Sequence, residues 1–164
     1  MKKLQPLLIF LPLAVIALDQ ITKVVVSRIL QLHETVPVIR GLFNLVHLRN
    51  RGIAFGLLNR PGNDYVFYLL TIVTIGAVLL MLFWFTRLRD EDRRIKFGLS
   101  LIIGGAVGNL IDRLRLNEVI DFLDFHIGPY HWPAFNVADS AITVGTIWLA
   151  VTLILEAPAK PQKA

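Results

Sequence analysis

Four long apolar runs dominate this chain, at residues 4–26, 65–85, 97–111 and 141–155, with one short polar link between the second and third. A helix rises about 1.5 Å per residue and a bilayer's hydrocarbon core is about 30 Å thick, so runs of this length predict four transmembrane helices with polar interruptions near some ends. Lys2 and Lys3 ahead of the first run would also suit a secretory leader. However, no small-x-small cleavage site follows, and the run continues through Asp19 and Lys23, so it is read as a span. The second run holds only Thr71, Thr74 and Gly76 as breaks and ends in Phe83-Trp84-Phe85, the composition of a structural span with an interfacial aromatic belt.

Between the first two runs the pattern changes. Residues 27–64 carry β-branched and aromatic positions around Val36-Pro37-Val38-Ile39 and from Leu42 to Leu48, punctuated by Gly41, which predicts a small sheet or cradle on the membrane surface. Residues 116–125 mix Val119, Ile120, Phe122 and Leu123 with Asn117, Glu118, Asp121 and Asp124, read as a short interfacial helix or turn. The expected architecture is an all-α integral membrane protein with a small extracytoplasmic β-cradle. Residues 1–156 form one domain that includes the loop 27–64, and residues 157–164 form a disordered cytoplasmic tail.

Composition supports the membrane reading: 55% of the 164 residues are hydrophobic, only 18% are charged, and the mean hydropathy is +0.62, too apolar for a soluble domain of this size. The net charge of +5 raises the question of nucleic acid, but no basic stripe with interleaved aromatics exists, and no nucleic-acid partner is expected. The charge reads as topology instead. Arg87, Arg89, Arg93, Arg94 and Lys96 crowd one short link, and Lys2, Lys3, Lys160 and Lys163 flank the termini, so these three regions face the cytoplasm. Cysteine is absent, which excludes thiol nucleophiles, disulfides and thiolate metal sites. His33, His47, His126 and His131 lack ligand spacing, so no metal is expected.

This orientation brings the intramembrane charges to one depth. Asp19 lies sixteen residues beyond Lys3, Asp112 sixteen beyond Lys96, and Asp139 seventeen before Glu156. Each is therefore roughly 24 to 26 Å from the inner edge, at the outer boundary of the hydrocarbon. Asp121 follows nine residues after Asp112. Ionised groups beside lipid persist where they pair, line a wet cavity or do chemistry. Two carboxyls in one low-dielectric site cannot both ionise cheaply, so one keeps a proton and the pair supplies an acid and a base, the requirement for hydrolysing a peptide with water. Asn136 and Asp139 sit where the fourth helix begins. A cap needs only one of them, so the second polar group adds weight to a site.

Five segments carry a resemblance: Asp19-Gln20-Ile21-Thr22-Lys23, Asn50-Arg51-Gly52-Ile53-Ala54-Phe55-Gly56, Gly104 through Arg113, Val119-Ile120-Asp121-Phe122, and Phe135-Asn136-Val137-Ala138-Asp139-Ser140. In order and spacing they resemble the bacterial lipoprotein signal peptidases, the signal peptidase II family, with Ile53 standing where the family often has a smaller residue. The resemblance implies an aspartic endopeptidase of the bacterial inner membrane, without cofactor. It would act as a monomer among phospholipids and cut diacylglyceryl-modified prolipoproteins just before the lipidated cysteine. Asp121 and Asp139 would be its catalytic pair, with Asp124 the rival to Asp121. Asp19, Lys23, Asn50, Gly52, Asn109, Arg113 and Asn136 would bind substrate or support the pair.

Each supporting residue also has an ordinary structural role open to it: an i,i+4 ion pair for Asp19 and Lys23, a turn for Asn50 and Gly52, a tie between helices for Asn109 and Arg113. The small residues Gly104, Gly105 and Gly108 suit close helix packing and lack the Lys-Ser/Thr of a phosphate loop. The competing function is a small proton-coupled transporter or channel, since intramembrane Asp, Lys and Arg also mark ion pathways, but it fits less well because the inner half of every span is bare of ionisable steps and the charges collect at one face.

Overall fold

A computed structural model describes residues 6–51 and 64–155. Helix α1 (Pro6–Ile29) is followed by strands β1 (Thr35–Ile39) and β2 (Phe43–Asn50). Next come helices α2 (Asp64–Arg87) and α3 (Arg93–Leu116), strands β3 (Val119–Ile127) and β4 (Tyr130–His131), and helix α4 (Val137–Leu155). All four helices are long and apolar enough to cross a membrane. The expected four-span membrane architecture with a small sheet is therefore present. Gly52, together with Gly56 and the tail 157–164, lies outside the described residues.

Helix α3 is the axis of the bundle and packs on α1, α2 and α4. Its small residues make that possible. A Cβ at Gly104 would come within 2.9 Å of Val15 and 3.0 Å of the Pro12 backbone on α1; one at Gly105 would overlap the Ala138 carbonyl oxygen on α4; one at Gly108 would stand 2.7 Å from the Asp19 carboxylate. Toward the N-terminus of α3, Gly98 and Gly145 repeat this close approach between α3 and α4. In α2 the threonines bond within their own helix, Thr71 Oγ1 to the Phe67 carbonyl at 2.8 Å and Thr74 Oγ1 to that of Leu70 at 2.7 Å, as a structural span requires.

The sheet is antiparallel in the order β1-β2-β3-β4. Gly41 (φ +80°) sits in the turn between β1 and β2, and Gly128 (φ +58°) in the turn between β3 and β4. The sheet rests on the C-terminal end of α1 through Val26, Leu30 and Phe122, with Leu45, Leu123 and Val137 packed around them.

One expectation is corrected here. Residues 116–125 form no interfacial helix: α3 ends on Asn117, whose left-handed backbone (φ 58°) returns its N–H to the Arg113 carbonyl, and the chain then enters β3. Strand β2 supplies the ladder, with Asn50 opposite Val119 and Leu48 opposite Asp121. β-Branched and aromatic residues favour this extended form once a partner strand is present. Asp121 and Asp124 are therefore not neighbours on a helix face.

Candidate active site

Helix α4 begins beside the sheet, and its first turn organises the site. Asn136 accepts the Asp139 backbone N–H on Oδ1 at 2.9 Å, while Asp139 Oδ2 accepts the Asn136 backbone N–H at 3.2 Å. This is a reciprocal cap. Both polar residues thus take part in capping, contrary to the expectation that one would suffice, and each has capacity left over. Asn136, fully buried, also donates from Nδ2 to Asp121 Oδ1 at 2.8 Å and toward the Ile120 carbonyl and Asn109 Oδ1 at 3.1 Å. Asp139 Oδ1 accepts Asn109 Nδ2 at 2.7 Å, and Asp121 Oδ2 accepts Asn50 Nδ2 at 3.2 Å.

Every oxygen of the two carboxyl groups therefore receives one N–H. A carboxylate oxygen has about two acceptor positions, so one per oxygen remains for a proton or a water. Asp121 and Asp139 line the same cavity, of about 530 Å³, together with Asn50, Asn109 and Arg113. Its wall includes Ile142, Thr143 and the exposed Val144 near the start of α4, so it runs from the sheet onto the apolar span. A second cavity of about 620 Å³ adjoins it over the sheet and shares Asn50, Asp121 and Trp132.

Beneath the aspartates lies a buried charge cluster. Lys23, 1% exposed, donates to Asp19 Oδ2 at 2.8 Å, Asp112 Oδ2 at 2.9 Å and Asn109 Oδ1 at 2.8 Å, which uses all three ammonium protons. Removing one partner of such a buried pair typically costs about 3–5 kcal/mol. Asp19 Oδ1 also accepts the Ala138 N–H, a free amide of the α4 N-terminus, at 2.9 Å. Asp112 takes the Ile120 N–H at 3.2 Å and Gln20 Nε2 at 2.9 Å. Lys23 also fixes an orientation: an ammonium only donates, so the Asn109 oxygen must face it and the Asn109 N–H₂ must face Asp139.

Burial pushes the Asp121 carboxyl up to about 7 from an ordinary 3.8, and Asp139 beside it adds to the rise, against the opposing pull of Asn50, Lys23 and Asn136. Asp124 behaves differently. Burial acts to raise it, but Asn44 Nδ2 at 2.8 Å and His131 Nδ1 at 2.8 Å outweigh that and hold it below the usual range. It is tied into a local network of its own, apart from the Asn136 that joins Asp121 to Asp139.

Eight of the nine residues expected at the site are described, and all eight converge. Asp121, Asp139, Asn50, Asn109 and Arg113 line the cavity, while Asp19, Lys23 and Asn136 support it from behind. Arg113 is within electrostatic reach of Asp139, Asp121 and Asp112 but makes no direct ion pair with them among the described residues. Sequence reasoning did not assign Gln20, whose amide spans Asp19, Asp112 and the Gly108 carbonyl, or Asp112 itself, although the depth coincidence had marked Asp112.

This geometry has known counterparts. The sequence profile of the family described as signal peptidase (SPase) II matches residues 11–155. The chain belongs to the signal peptidase II family. A lipoprotein signal peptidase of Desulforapulum autotrophicum is 50% identical over 133 residues, covering 81% of this chain and 82% of the relative. That of Syntrophus aciditrophicus is 47% identical over 156 residues, 94% of this chain and 96% of the relative. In structure, the chain is similar to a bacterial membrane enzyme solved by the in meso method at 2.3 Å resolution, with a TM-score of 0.85 at 30% identity over 99% of this chain and 96% of the other. Membership of the signal peptidase II family makes the protein an aspartic protease, carried here on a multi-pass membrane bundle.

Proposed function

We propose that this protein removes the signal peptide from diacylated prolipoproteins, cutting before the lipid-modified cysteine, with Asp121 and Asp139 as its catalytic pair. The observation that carries this reading is the pair itself. Two carboxyl groups share one cavity, joined through Asn136, with every oxygen holding one N–H donor and the cavity reaching along the start of the apolar helix α4. The relatives named as lipoprotein signal peptidases supply the substrate class.

Asp121, raised to about 7, is the member that holds the proton near neutral pH, which leaves Asp139 as the carboxylate base. Asp139 takes a proton from water as the water oxygen attacks the scissile carbonyl carbon. Asp121 gives its proton to the carbonyl oxygen, forming a tetrahedral diol. Collapse breaks the C–N bond: the proton on Asp139 passes to the leaving amine and Asp121 recovers a proton from the diol, so the pair ends in its starting state. Arg113, half-buried on the cavity wall without a direct carboxylate partner among the described residues, is placed to bind a substrate carbonyl, as is Asn50. Asp19, Lys23 and Asn136 position the pair rather than touch substrate, because burial closes them off, and Asn109, although it lines the cavity, has its amide oxygen turned to Lys23 and its nitrogen to Asp139. Gly52 follows Asn50 and would let substrate backbone come close.

The signal peptide enters from the bilayer beside the exposed outer face of α4, keeps its acyl chains in lipid, and presents the scissile bond at the outer rim. The enzyme works as a monomer in the inner membrane, with both termini and the α2–α3 link in the cytoplasm and phospholipid as its surroundings. An ion pathway fits less well, because Lys23 is saturated by three acceptors. The test is cleavage of a purified diacylated prolipoprotein. Asp121→Asn and Asp139→Asn should each lose about three orders of magnitude or more in rate while the protein stays folded. Near-normal cleavage by either variant refutes the assignment.

A further inference from the structure

Among the described residues, the pairing of Asn50 with Val119 is the last rung of the β2–β3 ladder. The end of a ladder opens more readily than its middle. The Asn50 carboxamide, 3.2 Å from Asp121 Oδ2, stands at that end. Just before Val119 stands Glu118. Its Oε1 accepts Arg51 Nε at 2.8 Å, and its Oε2 lies 3.5 Å from Arg49 Nη1. The two arginines flank Asn50 in sequence. Side chains alternate along a strand, so Arg49 leaves β2 on the face opposite to Asn50, which turns toward Asp121, and Arg51, just past the strand, joins Arg49 on Glu118. One carboxylate thus grips the strand end from behind on both sides of the residue that faces the aspartate.

We infer that Glu118 is a positioning residue: by clamping Arg49 and Arg51 it closes the β2–β3 end and holds the Asn50 carboxamide against Asp121. The inference rests on the peptidase reading above. The Glu118 side chain is only 17% exposed, whereas those of Arg49 and Arg51 are 42% and 47% exposed, so the clamp has a shielded acceptor and salt-accessible arms. Other charges also act on Asp121: Asp139 from α4, Lys23 from α1 and Arg113 from α3. These three stay in place when Glu118 is replaced, and losing the Glu118 charge while freeing Arg49 and Arg51 would by itself favour ionised Asp121, so a shift to higher pH reports the Asn50 contact. That donor favours the ionised form of Asp121, so loosening it raises the pH at which Asp121 gives up its proton.

The experiment is a double-mutant cycle on the full-length protein in phospholipid vesicles, with a diacylated prolipoprotein as substrate and rates measured across pH and salt. Glu118→Ala should lower kcat by roughly three- to tenfold with KM changed less than about twofold. It should also move the alkaline limb of the rate profile to higher pH and flatten the salt dependence of the wild type. In an Asn50→Ala background the same substitution should add nothing, and Glu118→Arg combined with Arg51→Glu should restore part of the rate. Additive effects of Glu118→Ala and Asn50→Ala, or an unmoved alkaline limb, overturn the inference, because a general loss of stability would act alike in both backgrounds. Absence of cleavage by the wild type would count against the peptidase reading instead.

Discussion

At the level of single residues, the proposed mechanism makes Asp121 the group that sets the working pH. Its proton is held because burial and the neighbouring Asp139 disfavour the charge, and it is lost as pH rises through about 7. The acid form is the active one in the mechanism above, so kcat should fall on the alkaline side with an apparent pKa near that value, belonging to the coupled pair. A pH–rate profile under saturating substrate measures this; a plateau continuing well above neutrality would mean that Asp121 is not the acid. The two aspartates, Asn50, Asn109 and Asn136 were legible in the sequence because they lie in short segments with a family pattern. What spacing alone could not give is the direction of each hydrogen bond. That Asn109 turns its nitrogen to Asp139 follows from Lys23, which approaches from another helix 86 positions away.

The elements divide in the same way. The four spans were readable because a bilayer fixes length and polarity together, and the glycines of α3 were readable as a packing face. The stretch after α3 was misread because its apolar positions suit a short amphipathic helix as well as a strand, and the ladder that decides the matter comes from β2, some seventy residues earlier. The α3–α4 contact is also a point of failure. Gly105 faces the Ala138 carbonyl so closely that any Cβ overlaps it, and Ala138 lies beside Asp139. Gly105→Val should push α4 away from α3, pulling Asp139 from Asn109. Overpacking of this kind typically costs about 1–3 kcal/mol. The expected outcome is a lowered Tm together with a loss of cleavage larger than that of Gly76→Val, a substitution in α2 where nothing lies within 4 Å. Equal effects from the two substitutions would remove the α3–α4 contact as the element that sets the site.

For the whole molecule, the decisive property is that the buried charges among the described residues gather at one end of the bundle. Asp19 and Lys23 lie in α1 and Asp112 in α3, and they meet the start of α4, where Asp139 stands, under a sheet inserted between spans. Cleavage of a segment already carried across the membrane requires that end to be the outer one, and the basic link between α2 and α3 argues for the same orientation. The chain offers a direct check because it contains no cysteine, so a single introduced thiol is an unambiguous reporter. Tyr130 is 81% exposed on the β3–β4 hairpin, and Glu91 lies in the exposed α2–α3 link. A membrane-impermeant maleimide applied to intact spheroplasts should label Tyr130→Cys at once and Glu91→Cys only after the membrane is permeabilised. The reverse order would place the aspartates at the cytoplasmic leaflet, where a signal peptide's scissile bond does not lie, and the proposed cleavage would then lack a substrate within reach.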